Sequence, residues 1–284
     1  MDNGGETIRT KELIMDLFGD YIRYLGGEAR LGVLTELLGL FGVEAATTRV
    51  TLSRMKRDGW FETRRHGREI GYIGSEKLLN VLDEGRPRIF DRSTSLWAGR
   101  WTMLQVGDIP TIQGNLQKFQ KGMAWRGFAQ LNERTWISPR DIREEAREAC
   151  ARHKWDADVF TFWTGGLGRD QELASRCWDL KGLDEKYRHF IREWQPWLDR
   201  DVETMTADEA LRARVLLVHG YRGHLFDDPM LPRALWPEEF SGPEAFRLFV
   251  ELHQQLSTPA TRRVSELMFP EGNAKESVTT IAEN

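Results

Sequence analysis

The segment from Arg49 to Arg68 constrains this chain more than any other. It runs a helical pattern straight into a strand pattern, and it reverses the sign of the charge around it. Seven of its residues are basic (Arg49, Arg54, Lys56, Arg57, Arg64, Arg65, Arg68) and two are acidic (Asp58, Glu62), a balance of +5. Residues 1–48 hold four basic and eight acidic residues, a balance of −4, and the whole chain of 284 residues also carries −4. Lys and Arg gathered on one element of an acidic chain are the footprint of a phosphate backbone. The overall negative charge argues against nonspecific coating of nucleic acid and confines contact to this island.

Helical phase divides the island. Thr48, Leu52 and Met55 share one stripe of a helix spanning about 44–58, and Arg49, Ser53, Lys56 and Arg57 share the other. Residues 60–65 and 68–73 are strand-like runs, joined by His66-Gly67 as a two-residue turn. Upstream, Leu13, Ile14, Leu17, Phe18, Tyr21, Ile22 and Leu25 give an amphipathic helix closed by Gly26-Gly27. Leu31, Leu34, Leu37 and Leu38 give a second helix, and Phe41-Gly42-Val43 a tight break. Three helices followed by a hairpin with a basic tip is the order of a winged helix-turn-helix. Its candidate DNA contacts are Thr47, Arg49, Val50, Ser53, Arg54, Lys56 and Arg57 on the helix, and Arg64, Arg65, His66 and Arg68 on the hairpin.

A short helical piece at 77–82 and a linker at 84–88 are expected next. A second unit then opens at Trp97, with strands at 101–106, 127–131, 135–137 and 159–163 and helices at 112–125 and 139–153. That is the βαββαβ order of a ferredoxin-like sandwich. Beyond Gly182 only helical periodicity remains, at 185–198, 207–221, 243–256 and 258–267. The expected fold class is therefore multidomain α+β, divided into a winged helix-turn-helix at 10–83, a ferredoxin-like domain at 95–181 and an all-α domain at 182–270. Residues 1–9 and those after Pro270 are polar and read as loose ends. No apolar run approaches the roughly 20 residues of a membrane span and no signal-peptide pattern opens the chain, so a cytoplasmic protein with no membrane partner is expected.

The chain offers little catalytic chemistry. Cys150 and Cys177 stand 27 residues apart with no paired neighbour, which fits neither a zinc cluster nor a disulfide framework. Asp108 follows the first strand of the second unit; a lone carboxylate is a poor metal site, and a turn or cap before Pro110 is the favoured reading. Residues 164–169 (Thr-Gly-Gly-Leu-Gly-Arg) lack the ending of a P-loop and read as a glycine-rich exit loop. Trp125, Trp136, Trp155, Trp163, Trp178, Trp194 and Trp197 are read mainly as core material, with a subset available to a ligand. His219, Tyr221, Arg222 and His224 form the densest polar-aromatic cluster of the helical part, either lining an effector pocket or pinning helices together. No catalytic residue, metal site or cofactor is expected.

Several separate motifs stand in order along the chain: Leu17-Phe18-Gly19-Asp20-Tyr21, Leu40-Phe41-Gly42-Val43 and residues 53–60 in the first unit. In the second they are Trp97, Gly99-Arg100-Trp101, Asp108-Ile109-Pro110, Gly127-Phe128 and Trp136-Ile137-Ser138-Pro139, and in the third residues 217–222 and 228–232. Together they resemble the PaaX family of bacterial repressors, which control phenylacetic acid degradation and related catabolic operons. The resemblance spans about residues 10–268 and implies a Cas2-like middle domain, a homodimer on double-stranded operator DNA, and release by an aryl-acyl-CoA such as phenylacetyl-CoA or another aromatic catabolite. This chain departs from the family pattern at Gly220, where an acidic residue is common, and at Thr47-Thr48, where the pair is usually more apolar. The competing expectations are a metal-dependent nuclease or CoA-ester hydrolase, which leaves the basic island unexplained, and a winged-helix regulator controlled by a protein partner.

Overall fold

The computed structural model describes residues 8–92, 96–107, 113–153 and 155–270. Asp108, residues 1–7 and the segment after Pro270 therefore lie outside the described residues. In chain order the first elements are α1 (Thr10–Asp20), β1 (Glu28–Arg30), α2 (Leu31–Gly39), α3 (Ala45–Arg57), β2 (Phe61–His66), β3 (Glu69–Gly74) and α4 (Glu76–Phe90). Then come β4 (Trp101–Val106), α5 (Gln113–Trp125), β5 (Ala129–Asn132), β6 (Thr135–Ser138), α6 (Arg143–His153), β7 (Ala157–Phe162) and α7 (Leu167–Cys177). The last are α8 (Leu180–Trp194), α9 (Ala207–His224), α10 (Gly242–Gln255) and α11 (Ser257–Met268). They group into two compact units. One comprises Met1–Phe90, Arg192–Tyr221 and Phe246–Asn284, the other Asp91–Ile191 and Arg222–Ala245.

In the first unit, α1, α2 and α3 pack around Leu13, Ile14, Leu17, Phe18, Leu34, Leu37, Leu38, Leu52 and Met55, and the β2–β3 hairpin closes the cluster with Phe61 and Tyr72. Leu211 and Val215 of α9 and Ala260 and Val264 of α11 belong to the same buried cluster. An N-terminal segment of about 80 residues has little interior of its own, and these helices from the far end of the chain enlarge it. The strand β1 pairs with β3, giving a three-stranded antiparallel sheet of order β1-β3-β2. Nothing in the periodicity announces a three-residue strand.

Two local expectations are corrected here. Residues 84–88 are not a linker, because α4 runs through Gly85 and Pro87 to Phe90. Helix-interior Pro costs about 3 kcal/mol, but this stretch is anchored. Arg88 is buried, Phe90 packs on Phe249 and His253 at centroid distances of 5.6 and 5.0 Å, and Arg86 lies over the rings of Tyr24 and Phe90. The hairpin turn also shifts by one residue. His66 pairs with Glu69, so the loop is Gly67-Arg68 rather than His66-Gly67. Gly67 takes φ 62° while Arg68 does not have positive φ, the signs of a type II′ turn, which needs glycine at its first central position.

A buried ionic network ties α1 to α9 and α10 within this unit. Arg214 lies 2.8 Å from Asp20 Oδ2, donates from Nε to the His253 carbonyl at 3.0 Å, and covers the Tyr21 ring. His253 Nε2 stands 3.2 Å from Asp20 Oδ1. Burial by itself would raise the Asp20 pKa, yet Arg214 and His253 outweigh it and hold the carboxyl at about 2. Burial pushes His253 below the usual histidine range, against the pull of Asp20.

In the second unit the sheet order is β5-β6-β4-β7, with every pair antiparallel. This is the βαββαβ sandwich expected from the strand and helix pattern. Alternate residues of the strands supply two faces. Leu104, Val106 and Trp136 pack on Phe119 and Met123 of α5, on Ile142 just before α6, and on Ala146 and Cys150 of α6. Trp101 and Ile137 point the other way, onto Ala174 of α7 and onto Leu180, Leu231 and Leu235. The glycine-rich segment at 164–169 is an exit loop only as far as Gly166, the residue that caps α7. Asp170 in the first turn of α7 accepts hydrogen bonds from Trp101 Nε1 at 2.7 Å and Thr164 Oγ1 at 2.6 Å, which fastens the helix to the sheet. Elsewhere in this unit Asp228 accepts from Tyr187 OH at 2.5 Å and from the Met230 amide at 2.7 Å, and pairs with Arg92.

Both cysteines are free, and burial raises both thiol pKa values. The tryptophans are distributed over separate clusters: Trp136 and Trp155 edge onto Phe119, Trp178 stacks on Trp101, and Trp194 meets Trp197. No helix of the described residues is long and apolar enough to cross a membrane.

The ionic network sets an expected acid response. A depressed histidine contributes stability above about pH 6.5 and loses it as pH falls below that value, and a depressed carboxylate contributes above about pH 4 and loses it as pH falls toward 2. Urea unfolding followed at pH 7, 5 and 3 should therefore give steadily falling stability. Arg214→Met should lower stability at pH 7 by about 3 kcal/mol, because the buried Asp20 carboxylate loses its guanidinium counter-charge and keeps only His253. It should also flatten the decline below pH 4; an unchanged acid limb in this variant contradicts the assignment.

Candidate nucleic-acid interface

The turn at Phe41-Gly42 leads α2 into α3, and the phase of α3 follows from what it buries. Thr48 and Leu52 are wholly inaccessible and Met55 is 2% exposed. With that stripe locked inward, Thr47, Arg49, Val50, Ser53, Arg54, Lys56 and Arg57 are all exposed on one continuous surface. Among the described residues no carboxylate lies within ion-pair distance of Arg49, Arg54 or Lys56, and Arg57 has only the exposed Asp58 at 3.8 Å. The C-terminal end of α3 is held by its neighbours. Lys77 Nζ donates to the Asp58 carbonyl at 2.7 Å, Ser75 Oγ donates to the Gly59 carbonyl at 2.7 Å, and Lys11 and Lys77 lie 4.2 and 4.5 Å from the Trp60 ring centroid.

The hairpin does not present its four basic residues together. Glu62, Arg64 and His66 alternate with Thr63 and Arg65 along β2, so Arg64 and His66 share one face and Arg65 takes the other, opposite Ile70. Arg68 is exposed in the turn. On the first face Glu28 of β1 engages both side chains, its Oε2 3.0 Å from Arg64 Nη1 and its Oε1 2.5 Å from His66 Nε2. The strand between them is β3, and the residue there is Gly71, which pairs with Arg64 on one side and Arg30 on the other. A Cβ at position 71 would collide with the Glu28 carboxylate. Only glycine leaves the passage through which Glu28 reaches across the central strand. Arg30 adds a further pair with Glu69 at 3.4 Å. Among the described residues, the hairpin arginines without a carboxylate partner are thus Arg65 and Arg68. Glu28 was not legible as part of the site, because it lies 36 residues before Arg64 on a strand with no periodic signal.

Family models match the chain in three consecutive stretches: a PaaX-like protein model over residues 9–78, a PaaX protein central Cas2-like domain over 94–174, and a PaaX-like protein C-terminal domain over 178–266. The chain belongs to the PaaX family. An Escherichia coli K12 protein named transcriptional repressor PaaX is 28% identical over 264 residues, covering 89% of this chain and 82% of that protein. Among solved structures, the uncharacterized protein Rv0674 from Mycobacterium tuberculosis shares the fold, with a TM-score of 0.59 at 22% identity over 90% of this chain and 98% of that one.

The PaaX-type C-terminal segment contains the four residues singled out as an effector cluster. His219 and Tyr221 belong to the first unit and Arg222 and His224 to the second. His219 Nδ1 lies 3.1 Å from Asp16 of α1, with Glu12 at 3.9 Å from its other nitrogen. Tyr221 is buried and stacks on Phe249 at 4.3 Å. His224 sits edge-on to Tyr187 and Phe190, and burial pushes its pKa down to about 4, so it is neutral at physiological pH. Each of these three is engaged in packing or hydrogen bonding on its own side of α9.

The buried stripe of α3 carries one polar atom, Thr48 Oγ1, which is inaccessible and has no hydrogen-bond partner among the described residues. Replacing a buried unsatisfied hydroxyl by a methyl of the same shape removes a desolvation penalty. Thr48→Val should raise stability by about 1 kcal/mol in chemical denaturation, leaving the exposed face of α3 unchanged. A loss of stability of that size would show that the hydroxyl is bonded.

Proposed function

We propose that this protein is a ligand-responsive transcriptional repressor of the PaaX type that binds operator DNA as a homodimer through a winged helix-turn-helix. It is a regulator, not an enzyme. The observation that carries the reading is the outward row of cations on α3, of which Arg49, Arg54 and Lys56 have no carboxylate partner among the described residues, held there by the burial of Thr48, Leu52 and Met55. A helix of this kind fits a major groove, and the hairpin tip can follow the adjacent backbone. The element order α1-β1-α2-α3-β2-β3 and the relative named as a repressor support the same reading. Divided by role, residues 10–83 would read DNA, 95–181 would serve assembly and 182–270 would sense the effector. An aryl-acyl-CoA such as phenylacetyl-CoA, or another aromatic catabolite, is the effector that the family resemblance implies, with His219, Tyr221, Arg222 and His224 as its first candidates.

A mobility-shift titration of the full-length protein on DNA upstream of its own gene tests DNA reading. The wild type should shift that fragment in preference to a scrambled one. Arg49→Ala with Arg54→Ala should weaken binding at least about tenfold, and should reduce the slope of log affinity against log salt by about 2 if both residues meet phosphates. No specific shift, or no loss in the double variant, sinks the assignment. Adding phenylacetyl-CoA should dissolve the shifted band and raise the melting temperature, whereas phenylacetate or CoA alone should do neither, since a ligand stabilises only the state it binds.

Glu28 is expected to act as a brake on this interface, because it occupies Arg64 and His66 with a carboxylate where a phosphate would compete. Glu28→Gln should tighten binding to random-sequence DNA and steepen the salt dependence by about one unit. Gly71→Ala should do the same by displacing the Glu28 side chain. Weaker binding in both variants would mean that Glu28 instead holds the hairpin in its binding shape.

A further inference from the structure

We infer that Val50 is the residue through which α3 selects a thymine, by contact of its methyl groups with the 5-methyl group in the major groove. This rests on the DNA-reading function proposed above and assigns sequence discrimination within it. The buried direction of α3 is fixed by Thr48, Leu52 and Met55, each 2% exposed or less. At about 100° per residue, the ridge directly opposite carries Ala46, Val50, Ser53 and Arg57. Arg49 and Lys56 lie along one flank of that ridge, and Thr47 and Arg54 along the other. The outer face is therefore a narrow track of short or apolar groups between two cationic edges.

That arrangement matches the cross-section of a DNA groove. A helix about 10–12 Å across fills a major groove about 12 Å wide, so its outermost ridge faces the base edges and its flanks face the two phosphate walls. On the ridge, Val50 is 53% exposed. Of its exposed neighbours at helical spacing, Ala46, Thr47, Ser53 and Arg54, only Ala46 is apolar, and its single methyl is too short to cover the valine. A β-branched residue also has lower helix propensity than the Ala or Lys that a solvated face would favour. The apolar group that base edges offer in the major groove is the thymine methyl. Ala46 on the same ridge has a shorter reach. Ser53 can bond to any base edge, and Arg57 is drawn toward Asp58. Val50 is thus the ridge residue with both the reach and the chemistry to discriminate.

The test strips the contact from each side in turn, the 5-methyl of the thymine on one side and the two γ-methyls of Val50 on the other. Full-length protein is used to enrich binding sites from random duplex DNA, and each thymine of the enriched site is then replaced singly by uracil, which lacks only the 5-methyl. The wild type should lose about fourfold in affinity at one thymine per half-site, the value expected for one buried methyl-sized group. Val50→Ala should show no loss at that same position while keeping the wild-type response at every other. Enrichment repeated with Val50→Ala should lose the preference for thymine there and retain the flanking bases. If the uracil penalties of wild type and Val50→Ala are the same at every position, the inference is overturned although DNA reading stands. If wild-type protein enriches no sequence at all, the DNA-reading function fails and this inference with it.

Discussion

The rotation of α3 about its own axis is the constraint on which the rest of the molecule's surface chemistry depends. Thr48, Leu52 and Met55 are driven into the cluster formed by α1, α2 and the hairpin, and no other rotation buries three consecutive turns of the helix. Turning the helix by one residue, about 100°, would press Arg49 and Lys56 toward the core at a cost of several kcal/mol for each unpaired charge. The cations are therefore outward because the apolar stripe is inward. The cluster that enforces this includes Leu211, Val215, Ala260 and Val264 from α9 and α11. The helix that carries the basic row and the helices near the end of the chain share one interior.

Charge is distributed over the candidate interface unevenly, and the unevenness has a structural cause. On α3 the outward Arg49, Arg54 and Lys56 have no carboxylate partner among the described residues, whereas in the three-stranded sheet Glu28 of β1 offsets Arg64 of β2 and Glu69 of β3 offsets Arg30 of β1. Exposed pairs of this kind add little to stability, typically under about 1 kcal/mol. What they change is the field, because a carboxylate within 3.0 Å of Arg64 cancels most of its attraction for a distant phosphate. The helix is left as the dominant cationic element and the hairpin contributes chiefly through Arg65 and the turn residue Arg68.

Much of this was legible in the sequence, and the parts that were not share a physical reason. Periodicity reports that a face is buried, so the stripe at Thr48, Leu52 and Met55 and the strand-helix alternation of the second unit could be read directly. It does not report what covers the face, so the joining of α9 and α11 to the N-terminal core could not be read. The same blindness explains α4, where Gly85 and Pro87 signal a break that the contacts of Arg86, Arg88 and Phe90 override. In the hairpin, His66-Gly67 and Gly67-Arg68 both place a glycine in a two-residue turn. Only the observed pairing of His66 with Glu69 separates them, and the choice decides which residues stand opposite one another, Arg64 facing Gly71 rather than Glu69. Glu28 escaped notice for the complementary reason that β1 is three residues long and leaves no pattern at all.

The polar contacts between α1 and α9 show why apolar burial alone would not complete this fold. Asp16 and Asp20 are four residues apart and so share one face of α1, and their partners His219 and Arg214 descend along α9 in the opposite order. Two contacts in reversed order fix two helices as antiparallel and set their register. Leu211 and Val215 would tolerate a slide of part of a turn with little change in buried area. A buried guanidinium would not, because moving Arg214 away from Asp20 strands two charges in an interior where each costs several kcal/mol. The pair thus contributes less to net stability than to selecting one alignment, a role well attested for buried polar groups at helix interfaces. Since α9 shares its core with α3, that alignment also helps to fix the outward row on which the proposed reading of DNA rests.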